Sequence, residues 1–210
     1  MSHIVLLGDS IFDNAAYVAG GPDVISQLRA RLPGGWLATL RAVDGSMVED
    51  VEGQLTKLPQ DATHLVVSAG GNNALDNANI LSERAQSAAD VLNRLAAVAE
   101  RFQKHYRQML EQVLSHQLPT AVCSVYYPRM PDPVLQRLAV AALAIFNDAI
   151  IVEASRAGVP QLDLRLICND EADYANEIEP SVRGGEKIVT TILKVISEHD
   201  FLKQRTEIFR

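Results

Sequence analysis

The sequence predicts an α/β fold built on a parallel sheet. Short apolar runs rich in β-branched residues recur along the chain, segments with helical spacing separate them, and polar, glycine-containing loops follow the first three runs. Parallel strands need a crossover between them and are buried on both faces, so they read as continuous apolar runs rather than as alternating ones.

The first run is residues 4–7 (IVLL), the second lies within 36–43, and the third is 64–68 (HLVVS). Residues 120–125 (TAVCSV) give a fourth and 160–164 (PQLDL) a weaker fifth. A short helix is predicted over 23–32. From 82 to 117 apolar residues return at helical spacing (Ala88, Val91, Leu92, Leu95, Val98, Phe102, Tyr106, Met109, Leu110, Val113), which predicts one long helix or two abutting ones with a core-facing stripe. Residues 134–156 form the next helix, closed by Gly158 and Pro160. Pro180 suits a first helical turn, and the last helix runs over 184–199. No repeat, low-complexity stretch or linker interrupts the pattern, so residues 1–210 are expected to form one domain.

With 48% hydrophobic and 21% charged residues, the chain can bury a core without staples. The net charge of −7 excludes the basic footprint of non-specific nucleic-acid binding. Cys123 and Cys168 lack metal-ligand spacing and read as small apolar residues. About four apolar residues precede the first glycine, too few for a signal-peptide core, and no run reads as a membrane span of ~20 apolar residues. A soluble cytoplasmic protein is expected.

In parallel α/β sheets ligands bind outside the carboxyl ends of the strands. Ser10 follows the first strand, AVDGS (42–46) the second and AGGNNA (69–74) the third, so these loops gather along one edge. Ser10 stands where a nucleophile would. Its own N–H, the N–H of Gly45 and the Asn72 amide are candidate donors to a developing oxyanion, each worth about 3 kcal/mol in the transition state.

The motifs GDSIFDN, VDGSMVEDV, VVSAGGNNAL and IEPSVRGGEKI, in that order, resemble the four blocks of the SGNH (GDSL-type) hydrolase family, over residues 4 to about 197. The resemblance implies a three-layer α/β/α sandwich around a five-stranded parallel sheet, flavodoxin-like, in agreement with the pattern above. It implies hydrolysis of small-molecule esters or thioesters with Ser10 as nucleophile, Gly45 and Asn72 as oxyanion donors, and no metal or cofactor.

The match departs from the family in the last block. Glu179 replaces the usual histidine, Asn176 the aspartate three residues before it, and Asn73 replaces the aspartate that ends the third block. The five histidines lie outside the last block and are expected at the surface. Glu179 is therefore either a surrogate base, with Asn176 orienting it by donating its amide N–H and Glu177 as an alternative acid, or a cap on the last helix. The helix dipole and Arg183 would lower the Glu179 pKa, whereas burial would raise it. The unperturbed pKa of about 4.3, against ~6.5 for histidine, would cost such a base about ten- to hundredfold in rate. The two functional expectations are a hydrolase working through Ser10 and Glu179, and an impaired relative that binds an acyl or carboxylate ligand. Asp9 is expected to bond backbone N–H groups, and Asp13 and Asn14 to cap the following segment. The loop YYPRMPDP (126–133) is either a substrate wall or a stiff connection.

Overall fold

The computed structural model describes residues 2–210. Six parallel strands form one sheet in the order β2-β1-β3-β4-β5-β6. They are β1 (His3–Gly8), β2 (Leu37–Leu40), β3 (His64–Ser68), β4 (Thr120–Cys123), β5 (Gln161–Leu162) and β6 (Ile208–Phe209). The first five carry the flavodoxin-like order, with its switch point between β1 and β3. Six strands rather than the expected five make up the sheet: Ile208 and Phe209 pair with Gln161 and Leu162. Two residues are too short to show any periodicity, which hid this strand.

The helices are α1 (Val24–Arg31), α2 (Val51–Leu55), α3 (Gly71–Asp76), α4 (Ala88–Ser115), α5 (Pro133–Ala157), α6 (Leu164–Ile167) and α7 (Val182–Glu198). Successive β1 residues point to opposite faces. Ile4 and Leu6 join a core under α1, α6 and α7, while Val5 and Leu7 join one under α2, α4 and α5. Both faces are thus covered, as the continuous apolar runs require. Cys123 and Cys168 are buried and free, as expected of small apolar residues.

Helix α4 starts at Ala88, with Ser87 accepting a hydrogen bond from the Asp90 N–H, and not at 82. Its stripe is buried from Val98 to Val113, but Val91 and Leu92 are exposed, at 38% and 66%. The reason is length. A helix of 28 residues spans about 42 Å, whereas a strand of five spans about 17 Å, so the N-terminal turns project beyond the sheet. Helix α5, capped by Asp132 with Pro133 in its first turn, projects the same way. By length and composition α5 could cross a membrane, contrary to the sequence reading, yet here it packs on α4 and buries Phe146, Ala149, Ile150 and Ala154.

The last helix also starts earlier than expected. Ser181 is its N-cap, accepting from the Gly184 N–H, and Pro180 lies outside the helix, bridged to Tyr174.

Candidate active site

The turn carrying Ser10 is fixed by its neighbours. Gly8 ends β1 at φ +118°, and a Cβ there would lie 1.7 Å from the Ser68 carbonyl oxygen. Only glycine allows β1 and β3 to approach this closely. Gln54 brackets the same residue: Gly8 N–H donates to Gln54 Oε1 at 2.7 Å, and Gln54 Nε2 donates to Gly8 O at 2.8 Å. Asp9 N–H donates to Ser68 O, and Asp9 O accepts from the N–H groups of Phe12 and Asp13. Ser10 sits on this turn, buried to 8% exposure. Asp9 Oδ1 accepts from the Ile11 N–H, as expected of a turn aspartate. Burial, with a smaller contribution from the Glu179 charge, pushes its pKa up to about 7.

Asn72 and Asn73, in the first turn of α3 directly after β3 and not in a loop as expected, tie that helix to the segment after β2. Asn72 Nδ2 donates to Ser46 O at 2.9 Å. Asn73 Oδ1 accepts from the Val48 N–H while its Nδ2 donates to Glu49. That pair of bonds needs an amide, because an ionised aspartate has no hydrogen to give Glu49. Gly45 lies on the exposed loop between, at φ +79°. The backbone N–H groups of Ser10 and Gly45 have no acceptor among the described residues.

Glu179 closes the site. Ser10 Oγ donates to Glu179 Oε1 at 3.0 Å, across 169 residues of sequence. Glu179 is 5% exposed, and burial pushes its pKa up to about 7, against the lowering effect of the Ser10 hydrogen bond. Its Oε2 is buried without a partner. Glu179 does not cap α7, since Ser181 does. Nor does Arg183 pair with it: that guanidinium reaches Asp170 and Asp173 instead, so the expected lowering is missing. Asn176 is near but works otherwise than expected. Its Oδ1 accepts from the backbone N–H groups of Ile178 and Glu179, both at 2.9 Å, so it fixes the main chain under Glu179 and donates nothing to the carboxylate.

The histidines take no part, but two are not surface residues. His3 is buried and bonded to Asp61 and Thr39. His199 is buried against Phe201 and Phe209 and bonded to Glu207. His3 lies on the buried strand β1, and the rings of Phe201 and Phe209 pack on His199 just after α7.

Three side chains that shape the site had escaped the sequence reading or been given another role. Gln54 is one. Asn14, fully buried, accepts from the Val24 N–H and donates to Pro180 O, joining the Ser10 turn to the Glu179 segment as well as meeting the start of α1. Tyr126 donates its hydroxyl to Ile178 O from the other side. Tyr126, Pro128 and Met130 line a cavity of about 250 Å³ that begins at Asp9, Ser10 and Asn72 and runs between α4 and α5. The loop over 126–133 is therefore a wall of the cavity beside Ser10.

A hydroxyl hydrogen-bonded to a buried carboxylate with a raised pKa is the pairing required for base-assisted nucleophilic attack. The model of the GDSL-like lipase/acylhydrolase family matches residues 6–185. The solved structures similar to the chain include the extracellular lipase of Streptomyces rimosus, at 19% identity and TM-score 0.63, covering 92% of this chain and 99% of that one. Phospholipase A1 of Streptomyces albidoflavus is similar at 17% identity and TM-score 0.63, with 95% and 99% covered. A lipolytic G-D-S-L protein of Veillonella parvula follows at 16% and 0.66, with 95% and 100% covered. At these identities the likeness is one of fold. No curated protein matches the chain.

Proposed function

Because the chain belongs to the GDSL-like lipase/acylhydrolase family, we propose that it hydrolyses small-molecule esters or thioesters, with Ser10 as nucleophile and Glu179 as general base. The observation that carries this reading is the 3.0 Å hydrogen bond from Ser10 Oγ to the buried Glu179 carboxylate. A pKa near 7 brings that carboxylate into the range of the histidine it replaces, which offsets the loss of basicity an exposed glutamate would suffer.

In the proposed reaction Glu179 takes the Ser10 proton as Oγ attacks the acyl carbon. The N–H groups of Ser10 and Gly45 receive the oxyanion, together with the second N–H of the Asn72 amide, the first being held by Ser46 O. Protonated Glu179 then gives its proton to the departing alkoxide or thiolate, leaving an acyl-Ser10 ester. A water molecule, deprotonated by Glu179, attacks that ester; the bond to Ser10 Oγ breaks, Glu179 returns the proton to Oγ, and the acid leaves. Asn176, Asn14 and Tyr126 hold the 176–180 segment against Ser10 through its backbone.

The test is covalent labelling by a fluorophosphonate together with turnover of p-nitrophenyl acetate, between about pH 5 and 9. Wild type is expected to label at Ser10 and to turn over, and Ser10→Ala to do neither. Equal behaviour of the two proteins would reject the hydrolase reading and leave the ligand-binding one.

A further inference from the structure

We infer that the surface beside Glu179 formed by Asp13, Tyr17 and Asp44 is a leaving-group site, which selects esters and thioesters whose alcohol or thiol carries a positive charge. The inference rests on the proposed reaction at Ser10 and specifies its substrate.

These residues are held together next to the reacting atoms. Tyr17 Oη donates to Asp44 Oδ2 at 2.7 Å, and the Asp44 N–H donates to Asp13 Oδ2 at 2.9 Å. Asp44 directly precedes Gly45, and the Asp13 N–H is bonded to Asp9 O in the turn that carries Ser10. The bond to Asp44, with burial and the charges of Glu179, Asp44 and Asp13, pushes the Tyr17 pKa up to about 12. Its hydroxyl therefore stays a neutral donor. The Asp44 charge in turn adds to the effect of burial on Glu179, so the Glu179 carboxylate and the cluster face each other.

Charge balance and burial both point to a cation there. None of the ion pairs among the described residues involves Asp13, Asp44 or Glu179. Arg183, four residues after Glu179, is engaged by Asp170 and Asp173. Glu179, 5% exposed, uses Oε1 for Ser10, while its Oε2 is buried without a partner. Ionised Glu179 thus joins Asp13 and Asp44 in a patch without a counter-ion, and a cationic group on the substrate supplies one. Asp44 is exposed and Asp13 and Tyr17 partly so, which lets that cation keep much of its hydration.

The reaction brings the leaving group to this side. Glu179 must hand its proton to the departing oxygen or sulfur, so that atom lies against Glu179 and its substituent reaches the residues around it. Ser10 lines the cavity between α4 and α5, whereas Asp13, Tyr17, Asp44 and Glu179 do not. The cluster therefore lies on another side of Ser10 Oγ. An exposed ion pair is worth at most a few-fold, so these carboxylates together are expected to favour a charged ester about tenfold in kcat/KM.

The experiment compares kcat/KM for acetylcholine and for 3,3-dimethylbutyl acetate, in which carbon replaces the charged nitrogen and the shape is kept. Acetylcholine is expected to be preferred about tenfold at about 10 mM sodium chloride, chiefly through KM, and less than about threefold at about 0.5 M. Asp44→Asn keeps an acceptor for the Tyr17 hydroxyl and is expected to lower the low-salt ratio about threefold, as is Asp13→Asn. The ratio is read within each protein, so a general loss of activity cancels, and the salt comparison needs no variant to fold. Ser10-dependent hydrolysis with equal kcat/KM for the two esters overturns the inference and leaves the proposed function standing. A preference that salt, or both substitutions together, leave intact does the same. Calorimetric titration with choline separates the opposite case. Choline binding that Asp44→Asn weakens, in a protein that hydrolyses no ester, upholds the cation site and rejects the hydrolase. Absence of both binding and hydrolysis rejects both.

Discussion

At the scale of single residues, the proposed reaction asks a carboxylate to do the work of an imidazole. Burial of Glu179 supplies the answer, since it raises the pKa to about 7 without a charged neighbour to lower it. The base form is the ionised one, so kcat/KM is expected to rise with pH through a single ionisation near 7 and to level off above it. A profile flat between about pH 5 and 8 would remove Glu179 from the role. The same shift costs stability, and its sign is fixed. The folded-state pKa lies above the unfolded value, so the cost is absent below pH 4.5, where the group is protonated in both states, and reaches its full size as pH rises through 7. Glu179→Gln removes that cost while keeping the shape of the side chain. It is expected to lose at least about a hundredfold in turnover. Its stability relative to wild type is expected to be about 2 kcal/mol better at pH 8 than at pH 5, as measured by urea unfolding. An equal difference at both pH values would contradict the shift. The positions of Ser10, Gly45 and Asn72 after strands and of Glu179 before a helix were legible because each falls in a recognisable block. Gln54 was not, and neither was the contact of Asn14 with Pro180. Each binds backbone 46 and 166 residues away, and no local pattern announces such a bond. Asn176 was placed correctly and given the wrong atom. An asparagine oxygen accepting from backbone two and three residues on is ordinary turn chemistry, and it competed successfully with a bond to the carboxylate.

At the scale of elements, close approach of β1 and β3 positions Ser10, and glycine at the end of β1 permits it. Gly8→Ala drives a Cβ into the Ser68 carbonyl at 1.7 Å, at a φ that alanine avoids. It is expected to cost about 3 kcal/mol or more and to abolish labelling of Ser10, because either strand must shift to relieve the contact. Gly53, inside α2, is the control: a Cβ there meets nothing within 4 Å. Gly53→Ala is expected to stabilise by about 0.5–1 kcal/mol, so urea midpoints should move in opposite directions. If Gly8→Ala kept wild-type stability and labelling, close strand contact would not be what holds Ser10. The strands in mid-sheet were readable because both faces are buried, as β1 shows from His3 to Gly8. Helix ends were less so. Apolar spacing continued through Val91 and Leu92, which no sheet covers, and only the Ser87 cap marks where α4 begins.

Across the whole molecule, stability and chemistry sit at different places on one sheet. The candidate site lies at the β1–β3 switch point, while β6 closes the far edge, four strand spacings from β1, or about 19 Å. Phe209 fills the core at that edge and is 7% exposed. Around it His199 bonds Glu207, and Thr206 Oγ1 donates to Ala154 O. Phe209→Ala opens a cavity beneath β5 and is expected to cost about 3 kcal/mol, toward the low end for a buried phenylalanine because the strand is short and at an edge. No bond in this corner reaches the Ser10 turn, α3 or the Glu179 segment. Below the unfolding transition kcat and KM for p-nitrophenyl acetate should therefore stay within about twofold of wild type, since sites this far apart with no shared partners act nearly independently. Measuring the urea midpoint and the kinetic constants on the same preparation checks both halves. A large fall in kcat in fully folded Phe209→Ala would mean that the sheet transmits strain from β6 to Ser10, and that the sixth strand belongs to the working parts of the site.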